Sequence, residues 1–237
     1  MPNLNRIVVL TGAGMSADSG LKTFRDSGGL WEGHDIEKVA TPEAWHENPE
    51  RVLKFYNERR KQAKSAEPHE GHQALAALEE KFDVTIITQN VDSLHEQAGS
   101  SKVIHLHGQM SKVRSENNPS LIYEIGGDAI NVGDTAEDGS QLRPHVVWFG
   151  EPVPMMQKAA TIMPEAELLL VIGTSLVVYP AAGLVEYTSD TIPKYIIDPK
   201  KPELFGLSNW HHLQETAKSG TPKLADKLIE KYGENKN

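Results

Sequence analysis

Residues 6–17 have the sequence Arg6-Ile-Val-Val-Leu-Thr-Gly-Ala-Gly-Met-Ser-Ala17. Their first half is a short, β-branched and almost wholly apolar run, which is typical of a strand covered on both faces in a parallel sheet. Their second half matches the G-x-G-x-x-G/A pattern of a strand that passes through a turn into a helix. Such a turn brings the backbone close to a pyrophosphate, and the helix N-terminus adds N–H donors and partial positive charge. The segment therefore predicts either a dinucleotide-binding turn or a glycine-rich turn without a ligand.

Similar apolar runs recur along the chain, at residues 84–88, 103–106, 146–149, 168–172 and 195–197. Helical patterns accompany them, at residues 49–64, 69–81, 91–97, 154–163 and 222–232. Alternation of strands and helices is typical of α/β proteins, in which helices cover both faces of a parallel sheet. The predicted fold class is therefore α/β, with a Rossmann-like parallel sheet and helices on both of its faces.

Two stretches interrupt this alternation. Residues 21–41 contain Gly28, Gly29 and Gly33 with little periodicity, which indicates a long ordered loop of the kind used for binding. Residues 110–142 are polar, with weak strand patterns only at 121–125 and 129–132, which indicates a small lobe with little core of its own. We predict a single domain over residues 1–237, with a large lobe of about 1–30, 70–109 and 143–237 and a small lobe of about 31–69 and 110–142.

The chain of 237 residues contains no cysteine, 24 Lys and Arg, and 33 Asp and Glu, for a net charge of −9. The lack of cysteine excludes disulfides, thiolate metal sites, iron–sulfur clusters and a Cys nucleophile, so a metal would need His and carboxylate ligands. The negative charge disfavours nucleic acid and favours cationic partners such as lysine-bearing peptides. The sequence shows no run of about 18 apolar residues and no signal-peptide pattern. We therefore expect a cytoplasmic monomer that binds neither nucleic acid nor membrane.

Polar residues follow three of the predicted strands. Thr88-Gln-Asn-Val-Asp-Ser-Leu-His95 comes at the sheet edge where open α/β folds assemble ligand sites. Its side chains suit recognition of amides and hydroxyls, but Asn90 and Asp92 also suit the cap of a helix that begins near Val91. Gly173-Thr-Ser175 and Asp198 close two later strands, where they fit a phosphate and a ribose, or else a plain loop and an Asp-Pro turn.

Two histidines end the strand at 103–106, in His105-Leu-His107-Gly108. A period of two places both imidazoles on one face of the strand. They are interpreted first as structural polar residues, second as the source of a general base near neutral pH, and third as two metal ligands with His95 or His145 as another.

An ordinary dehydrogenase is disfavoured. Its fold places an acidic residue at the end of a second strand about 20 residues after the glycine motif, where it holds the ribose hydroxyls. Residues 30–35 of this chain form the loop sequence Leu-Trp-Glu-Gly-His-Asp instead. The nucleotide can still be NAD, but hydride transfer is not the expected chemistry.

Taken in order, these segments resemble the sirtuin family of NAD-dependent protein lysine deacylases. The similarity runs from about Ile7 to about Ala217. The matching segments are Gly12-Ala-Gly-Met-Ser-Ala-Asp-Ser-Gly20, Phe24-Arg25, Thr88-Gln-Asn-Val-Asp92, Leu94-His95, His107-Gly108, Arg143-Pro-His-Val-Val-Trp-Phe-Gly-Glu151 and Gly173-Thr-Ser-Leu-Val-Val-Tyr-Pro-Ala181. Together they favour the ligand-binding interpretation of each turn.

The resemblance implies that NAD and an acyl-lysine peptide meet in a cleft between the two lobes. It implies that His107 accepts a proton and that Asn90, the second catalytic residue, holds the nicotinamide ribose and carboxamide together with Asp92. The backbone of Val147, Trp148, Phe149 and Gly150 is expected to pair with the peptide as an added strand. The residues expected to bind NAD are Gly12, Ala13, Gly14, Ala17, Phe24, Arg25, Trp31, Gln89, Asn90, Val91, Asp92, Gly173, Thr174, Ser175, Asp198 and Ala217.

The implied reaction consumes NAD as a co-substrate. The bond between nicotinamide and ribose breaks, the acyl oxygen of the substrate attacks the ribose, and His107 then removes a proton from a ribose hydroxyl. This hydroxyl attacks the imidate carbon, and one water is then consumed as free lysine leaves. The products are nicotinamide, free lysine and O-acyl-ADP-ribose, so no redox change occurs.

The sequence departs from the family in two places. Most sirtuins bind a structural zinc through two cysteine pairs in the small lobe, and this sequence has no cysteine, so a zinc-free lobe is predicted. Lys22 stands where the family commonly has a proline, which puts the expected rigidity of that loop in question but not the role of Arg25.

One further pair bears on the acyl group. Tyr56-Asn-Glu-Arg59 lies in the helical pattern at 49–64, and i,i+3 spacing places the phenol and the guanidinium on one face. Alone, the pair is most simply a half-buried Tyr beside a solvated Arg. Tyr-x-x-Arg nevertheless resembles the signature of the sirtuin branch that removes succinyl and malonyl groups, and Ala40 resembles the small pocket residue of that branch. The resemblance implies removal of these acidic acyl groups, and of acetyl as well.

Other functions remain as alternatives. An ADP-ribosyltransferase would use the same NAD site without an acyl-lysine channel, and a plain deacetylase would use the channel without Arg59. A non-catalytic NAD or ADP-ribose sensor and a His-dependent metallohydrolase belong to other classes.

Overall fold

The computed structural model describes residues 4–21, 30–31, 34–200 and 209–233, and gives only the backbone at positions 30, 31 and 34. In chain order the strands are β1 (Arg6–Thr11), β2 (Leu30–Trp31), β3 (His34–Asp35), β4 (Asp83–Thr88), β5 (Val103–His105), β6 (Gly108–Ser115), β7 (Ile122–Glu124), β8 (Leu142–Val146), β9 (Leu168–Ile172), β10 (Lys194–Ile197) and β11 (Trp210–Leu213). The α-helices are α1 (Pro42–Glu47), α2 (Pro49–Ser65), α3 (Glu70–Leu78), α4 (Leu94–Gln97), α5 (Met156–Ile162) and α6 (Ala217–Tyr232).

The larger sheet has six parallel strands in the order β11-β10-β9-β1-β4-β5. Numbered along the chain, this is the 3-2-1-4-5-6 order of dinucleotide-binding sheets. The predicted Rossmann-like α/β fold is therefore confirmed. The point at which the strand order reverses lies between β1 and β9, and sheets of this kind bind ligands at that point.

Alternate residues of the central strands pack on opposite faces of this sheet. Ile7 and Val9 of β1 belong to a buried cluster that includes Leu75 of α3 and residues of α6. Val8 and Leu10 belong to a second cluster, which includes Ala159 of α5. Because both faces of β1 and β9 are covered, their sequences are continuous apolar runs.

The small sheet is antiparallel and has the order β7-β6-β8. It packs with α1 and α2 around a third buried cluster that includes Trp45, Phe55, Tyr56 and Trp148. The two helices begin at good caps, since Thr41 accepts from Ala44 N–H and Asn48 from Arg51 N–H. The core of this lobe is larger than the sequence suggested, because α2 contributes buried aromatic residues to it.

The glycine segment was expected to lead into a helix, and the structure has two short 3₁₀ turns there in place of one continuous helix. Residues after Gly12 form two 3₁₀ turns, Ala13–Met15 and Ala17–Ser19, and Gly20 ends the second one with a left-handed φ of +87°. Glycine disfavours a continuous helix, and one turn of 3₁₀ fits a tight reversal better.

The run at 146–149 was predicted as a strand of the parallel sheet, and it is not. β8 ends at Val146 and pairs with β6, although the prediction assigned residues from 143 onward to the large lobe. Beyond Val146 the chain bonds to loops, since Val147 N–H donates to His107 O and Phe149 N–H donates to Ala40 O. The hydrogen-bond partners, and not the apolar character, decide the conformation here.

Other differences are local. Residues 129–132 form no strand, because Asn57 bonds both the N–H and the C=O of Ile130 and holds this segment as a loop. The helix predicted at 91–97 is limited to α4. The strand at 103–106 ends at His105, so a period of two does not extend to His107. Among the described residues, no helix is long and apolar enough to cross a membrane.

Candidate functional site

Two glycine-containing turns meet at the point where the strand order reverses. Gly14 N–H donates to Gly173 O at 2.8 Å, which joins the turn after β1 to the turn after β9. A Cβ on Gly14 would lie 2.8 Å from Gly173 Cα, and a Cβ on Gly12 would lie 2.7 Å from Thr174 Cβ. The glycines are therefore required for contact between the two turns, a reason that the sequence pattern did not supply.

Gly173→Ala is expected to destabilise the fold by about 3 kcal/mol or more, from about 1–2 kcal/mol of left-handed strain and about 1–3 kcal/mol of overpacking. Gly173 has φ of +63°, and its Cβ would lie 2.3 Å from Met15 N and 2.4 Å from Gly14 C. Gly20→Ala is the matched control, because Gly20 has φ of +87° but nothing within 4 Å of an added Cβ. Urea unfolding of both variants measures the difference, and equal losses would show that close approach of the turns contributes nothing.

The segment after β4 binds to the first of these turns. Asn90 donates through Nδ2 to Gly12 O and to Ser16 Oγ, both at 3.1 Å. Ser16 Oγ in turn donates to Asp92 Oδ2 at 2.9 Å. Asp92 also accepts from Leu94 N–H at 3.1 Å, which joins it to the first residue of α4. Burial raises the pKa of Asp92, and the hydrogen bonds from Leu94 and Ser16 act against it.

The imidazole of His107 lies beside the same segment. Its Nδ1 is 3.0 Å from Gln89 O, and a carbonyl only accepts, so Nδ1 carries the proton and Nε2 keeps its lone pair. Burial lowers the pKa of His107, with the bond to Gln89 acting in the opposite direction. His107 is therefore neutral near pH 7 and has the form that a general base needs.

His105 has a different environment. Its Nδ1 donates to Asn90 O at 2.9 Å, and its Nε2 lies 2.7 Å from Glu96 Oε1. Burial alone would lower the pKa of His105, but the bond and charge of Glu96 bring it above the usual value. Within the described ranges, no group of three or more His, Asp or Glu is arranged to hold a metal ion. The sequence pattern His-x-His thus joins one structural histidine and one candidate base.

Tyr56 and Arg59 project from the same face of α2, as their spacing predicted. Tyr56 is fully buried, and the centroid of its ring lies 5.1 Å from that of Phe55 and 6.4 Å from that of Trp148. Arg59 is only 9% exposed, so the simplest interpretation of the pair taken alone, with a solvated Arg, does not hold. Burial raises the pKa of Tyr56, which keeps its hydroxyl protonated as a donor.

A buried ion pair holds Trp148 in place. Glu151 accepts from Arg143 at 2.7 and 3.1 Å and from Trp148 N–H at 2.7 Å. The Cζ atom of Arg143 lies 3.4 Å from the centroid of the Trp148 ring. Although burial raises it, the pKa of Glu151 is below its usual value because of Arg143 and Trp148 N–H. Trp148 therefore forms a fixed wall next to Tyr56.

One cavity of about 430 Å³ joins these groups. It is lined by every predicted site residue whose side chain the structure describes: Gly12, Ala13, Gly14, Ala17, Ala40, Tyr56, Arg59, Gln89, Asn90, Val91, Asp92, His107, Val147, Trp148, Phe149, Gly150, Gly173, Thr174, Ser175, Asp198 and Ala217. Phe24 and Arg25, predicted at the NAD site, lie outside the described residues, as does the side chain of Trp31.

Sequence reasoning missed several residues of the cavity wall, among them Ser16, Leu21, Met110, Glu151 and Lys200. Ser16 lies inside the glycine motif quoted above, but the motif specifies only its glycine and alanine positions. Its polar role depends on Asp92, which is 76 positions away. Glu151 lies within a segment that the resemblance quoted, but its link to Arg143 follows only from the folded chain.

Comparison with known proteins shows similarity to the family that the sequence motifs resemble, over nearly the whole length of this chain. The profile of the Sir2 family matches residues 12–180. An NAD-dependent protein deacylase of Helicobacter pylori (strain ATCC 700392 / 26695) is 51% identical over 227 residues, which cover 96% of this chain and 99% of that protein. A solved complex of a mutant Sir2 homologue with ADP ribose has a TM-score of 0.87 at 36% identity and covers 98% of this chain and 95% of that chain. A Sir2 homolog–NAD complex has a TM-score of 0.84, also at 36% identity, with 96% and 90% covered.

Proposed function

The chain belongs to the Sir2 (sirtuin) family, and we propose that it is a protein lysine deacylase that removes succinyl and malonyl groups in addition to acetyl. Its relatives support the coarser part of this statement, an NAD-dependent protein deacylase with NAD as co-substrate. The finer part rests on one observation, which is that Arg59 of α2 and His107, between β5 and β6, line the same cavity.

The residues present fit NAD. The turns after β1 and β9 meet at the reversal of strand order, which is the usual dinucleotide position. Asp198, at the end of β10, is buried and lines the cavity, where a carboxylate suits ribose hydroxyls. When bound, NAD supplies an activated ribose that takes up the acyl group.

His107 is proposed as the general base. Its neutral form, with the proton on Nδ1 held by Gln89 O, leaves Nε2 to accept a proton from a ribose hydroxyl. Asn90 is proposed to orient the ribose, since its side chain is already fixed by Gly12 O and Ser16. Pre-oriented groups of this kind lose little entropy when the substrates bind.

The acyl end is proposed to lie between α2 and Trp148. A guanidinium is always charged and can bind a carboxylate through two parallel hydrogen bonds, and a protonated phenol adds a third. Arg59 and Tyr56 supply both groups, and both are buried residues in the cavity wall. Ala40 lines the same cavity and leaves room for a chain longer than acetyl.

The peptide is proposed to run along Val147, Trp148, Phe149 and Gly150. Three N–H groups of this segment already donate within the protein, to His107 O, to Glu151 and to Ala40 O. An added strand therefore meets chiefly carbonyl oxygens here, and its own N–H groups must supply most of the bonds.

Incubation with matched succinyl-, malonyl- and acetyl-lysine peptides, each with and without NAD, tests the proposal. Mass spectrometry should show free lysine peptide, nicotinamide and the O-acyl-ADP-ribose of the matching acyl group, all dependent on NAD. We expect kcat/KM for the succinyl peptide to exceed that for the acetyl peptide. A peptide that gains ADP-ribose and keeps its acyl group would instead indicate an ADP-ribosyltransferase, and release of acetyl alone would leave a plain deacetylase.

A further inference from the structure

Three buried histidines, His69, His72 and His95, lie next to the cavity without lining it. His72 and His95 are 0% and 1% exposed, and His69 is 7% exposed. Their rings form a row, with 4.3 Å between the centroids of His69 and His72 and 5.1 Å between those of His72 and His95. The proposed reaction uses none of them, although each end of the row bonds to a segment that leads into the cavity wall.

The hydrogen bonds fix the tautomer of His69. Its Nε2 lies 2.7 Å from Met15 O, and a carbonyl only accepts, so Nε2 carries the proton. Its Nδ1 accepts from Gly71 N–H at 3.0 Å. The backbone N–H of His69 also donates to His72 Nδ1 at 3.4 Å. His69 thus ties the start of α3 to the glycine turn after β1 and to the next ring.

The same reasoning fixes the other two rings. His72 accepts at Nδ1, so its proton is on Nε2 in the neutral form. Thr11 donates its only hydroxyl proton to Thr88 Oγ1 at 2.8 Å, so at the 3.1 Å contact with His95 Nε2 the histidine is the donor. Thr88 Oγ1 also accepts from Asn90 N–H at 3.0 Å. The row therefore continues through two hydroxyls to the backbone of Asn90.

Two ring atoms of the row have no hydrogen-bond partner within the described part of the chain, and they complement each other. They are His72 Nε2 and His95 Nδ1, both buried. By the tautomers above, the first is a donor and the second an acceptor. Buried unpaired polar atoms are costly, so a donor and an acceptor on adjacent rings indicate a bond closed by a small ring rotation or by one buried water.

We propose that His72 and His95 are positioning residues, which together with His69 form one neutral hydrogen-bonded row that fixes the glycine turn at Met15 and the segment after β4 at Asn90. The row holds the two segments from which the NAD side of the cavity is built. Burial, with the neighbouring histidines, lowers the pKa of His72 to about 2. Burial also lowers the pKa of His95 to about 4, although Glu96 acts against it and His105 and His69 act with it. His72 and His95 accordingly stay neutral.

Nitrogen-15 NMR of histidine-labelled wild-type protein tests the row itself. Each of the three rings should show protonated Nε2 and bare Nδ1 at about pH 8, and the rings of His72 and His95 should not titrate between about pH 8 and pH 5.5. A ring with the proton on Nδ1, or titration of His72 or His95 in this range, would overturn the proposal. This measurement does not depend on the proposed function, so its failure is distinguishable from failure of the deacylase assignment.

Kinetics test the positioning role, which rests on the proposed contact of Asn90 with NAD. Thr11→Val removes the link between His95 and Thr88 without changing volume, and it should lower kcat about 10-fold while KM for the acyl peptide stays within about twofold. His95→Phe should have the same effect, and His95→Gln, which keeps a donor near the Nε2 position, should stay within about threefold of wild type. The double variant Thr11→Val with His95→Phe should be no slower than either single variant, because both substitutions break the same chain of hydrogen bonds.

Thr221→Val is the control, since Thr221 is buried in α6, its hydroxyl has no hydrogen-bond partner among the described residues and it does not line the cavity. If Thr11→Val lowers kcat no more than this control, or if the double variant shows the product of the two single losses, the row is not a positioning unit. Should His95→Phe fail to fold, Thr88→Val takes its place in the cycle, and the NMR measurement stands regardless.

Discussion

His107→Ala is expected to lower kcat about 1,000-fold with every acyl peptide, because a positioned general base contributes about 10²–10⁴-fold. The structure shows why this residue is suited to the task. Its Nδ1 proton is held by Gln89 O, and its partly buried ring lines the cavity with Nε2 unprotonated. Binding of NAD should change less than about threefold, since the imidazole is proposed to act on a proton and not to hold the nucleotide. Rapid-quench kinetics and titration calorimetry measure the two quantities.

The pH dependence gives a second test of the same residue. Burial lowers the pKa of His107 from the usual 6.5. Only the neutral ring accepts a proton, so kcat/KM is expected to be constant above this pKa and to fall as pH drops through it. The midpoint of the acidic limb should therefore lie below 6.5.

His105→Gln is the matched control, because His105 belongs to the same segment but bonds to Glu96 and to Asn90 O. We expect it to retain activity within about threefold, with loss of stability as its main effect. Equal loss of kcat in both variants, or an acidic limb centred above pH 7, would contradict the assignment of His107 as the base.

The central sheet was predictable because burial leaves a direct trace in the sequence. β1 and β9 are covered on both faces, so their apolar runs are continuous and were found within one residue. β11 was missed, since Trp-His-His-Leu at its position is too polar to indicate a strand. Its register is set by pairing with β10, which is a long-range contact that no local pattern contains.

The candidate site was likewise predictable from the sequence only in part. Residues that follow the strands of a parallel sheet converge at one edge, so the turns at Gly12, Asn90 and Gly173 could be assigned to a common site before the fold was known. The contacts that shape these turns could not be predicted from the sequence. Arg143 stacks on Trp148 and binds Glu151 only because β8 ends and the chain reverses at Gly150, whose φ is +89°.

Arg59→Met is expected to lower kcat/KM for a succinyl-lysine peptide about 100-fold or more, while the acetyl-lysine peptide changes less than about threefold. A hydrogen bond to a charged group contributes about 1.5–3 kcal/mol, and a guanidinium makes two such bonds to one carboxylate. Arg59 is 9% exposed, so solvent screens this interaction only weakly. Acetyl has no distal carboxylate, and Met retains most of the apolar volume of the arginine stem.

Two further variants separate the charge from its geometry. Arg59→Lys keeps a cation but not the planar pair of donors, so its loss should be intermediate and confined to the acidic acyl groups. Tyr56→Phe removes one donor from a fully buried ring and should cost the succinyl peptide about 10-fold. Both substitutions leave His107 and the NAD side unchanged, and nicotinamide release with an acetyl peptide should therefore stay close to wild type.

Arg51→Met provides the control on the same helix. Arg51 bonds to Lys38 O and Glu47 on the outside of α2 and does not line the cavity, so both peptides should react as with wild type. The ratio of succinyl to acetyl turnover is the decisive quantity, because general loss of folding lowers both rates together and leaves the ratio unchanged. If Arg59→Met lowers the two rates equally in protein that circular dichroism shows to be folded, the guanidinium stabilises the lobe and does not select the acyl group. The assignment of acidic acyl substrates then fails, while the assignment as an NAD-dependent deacylase remains.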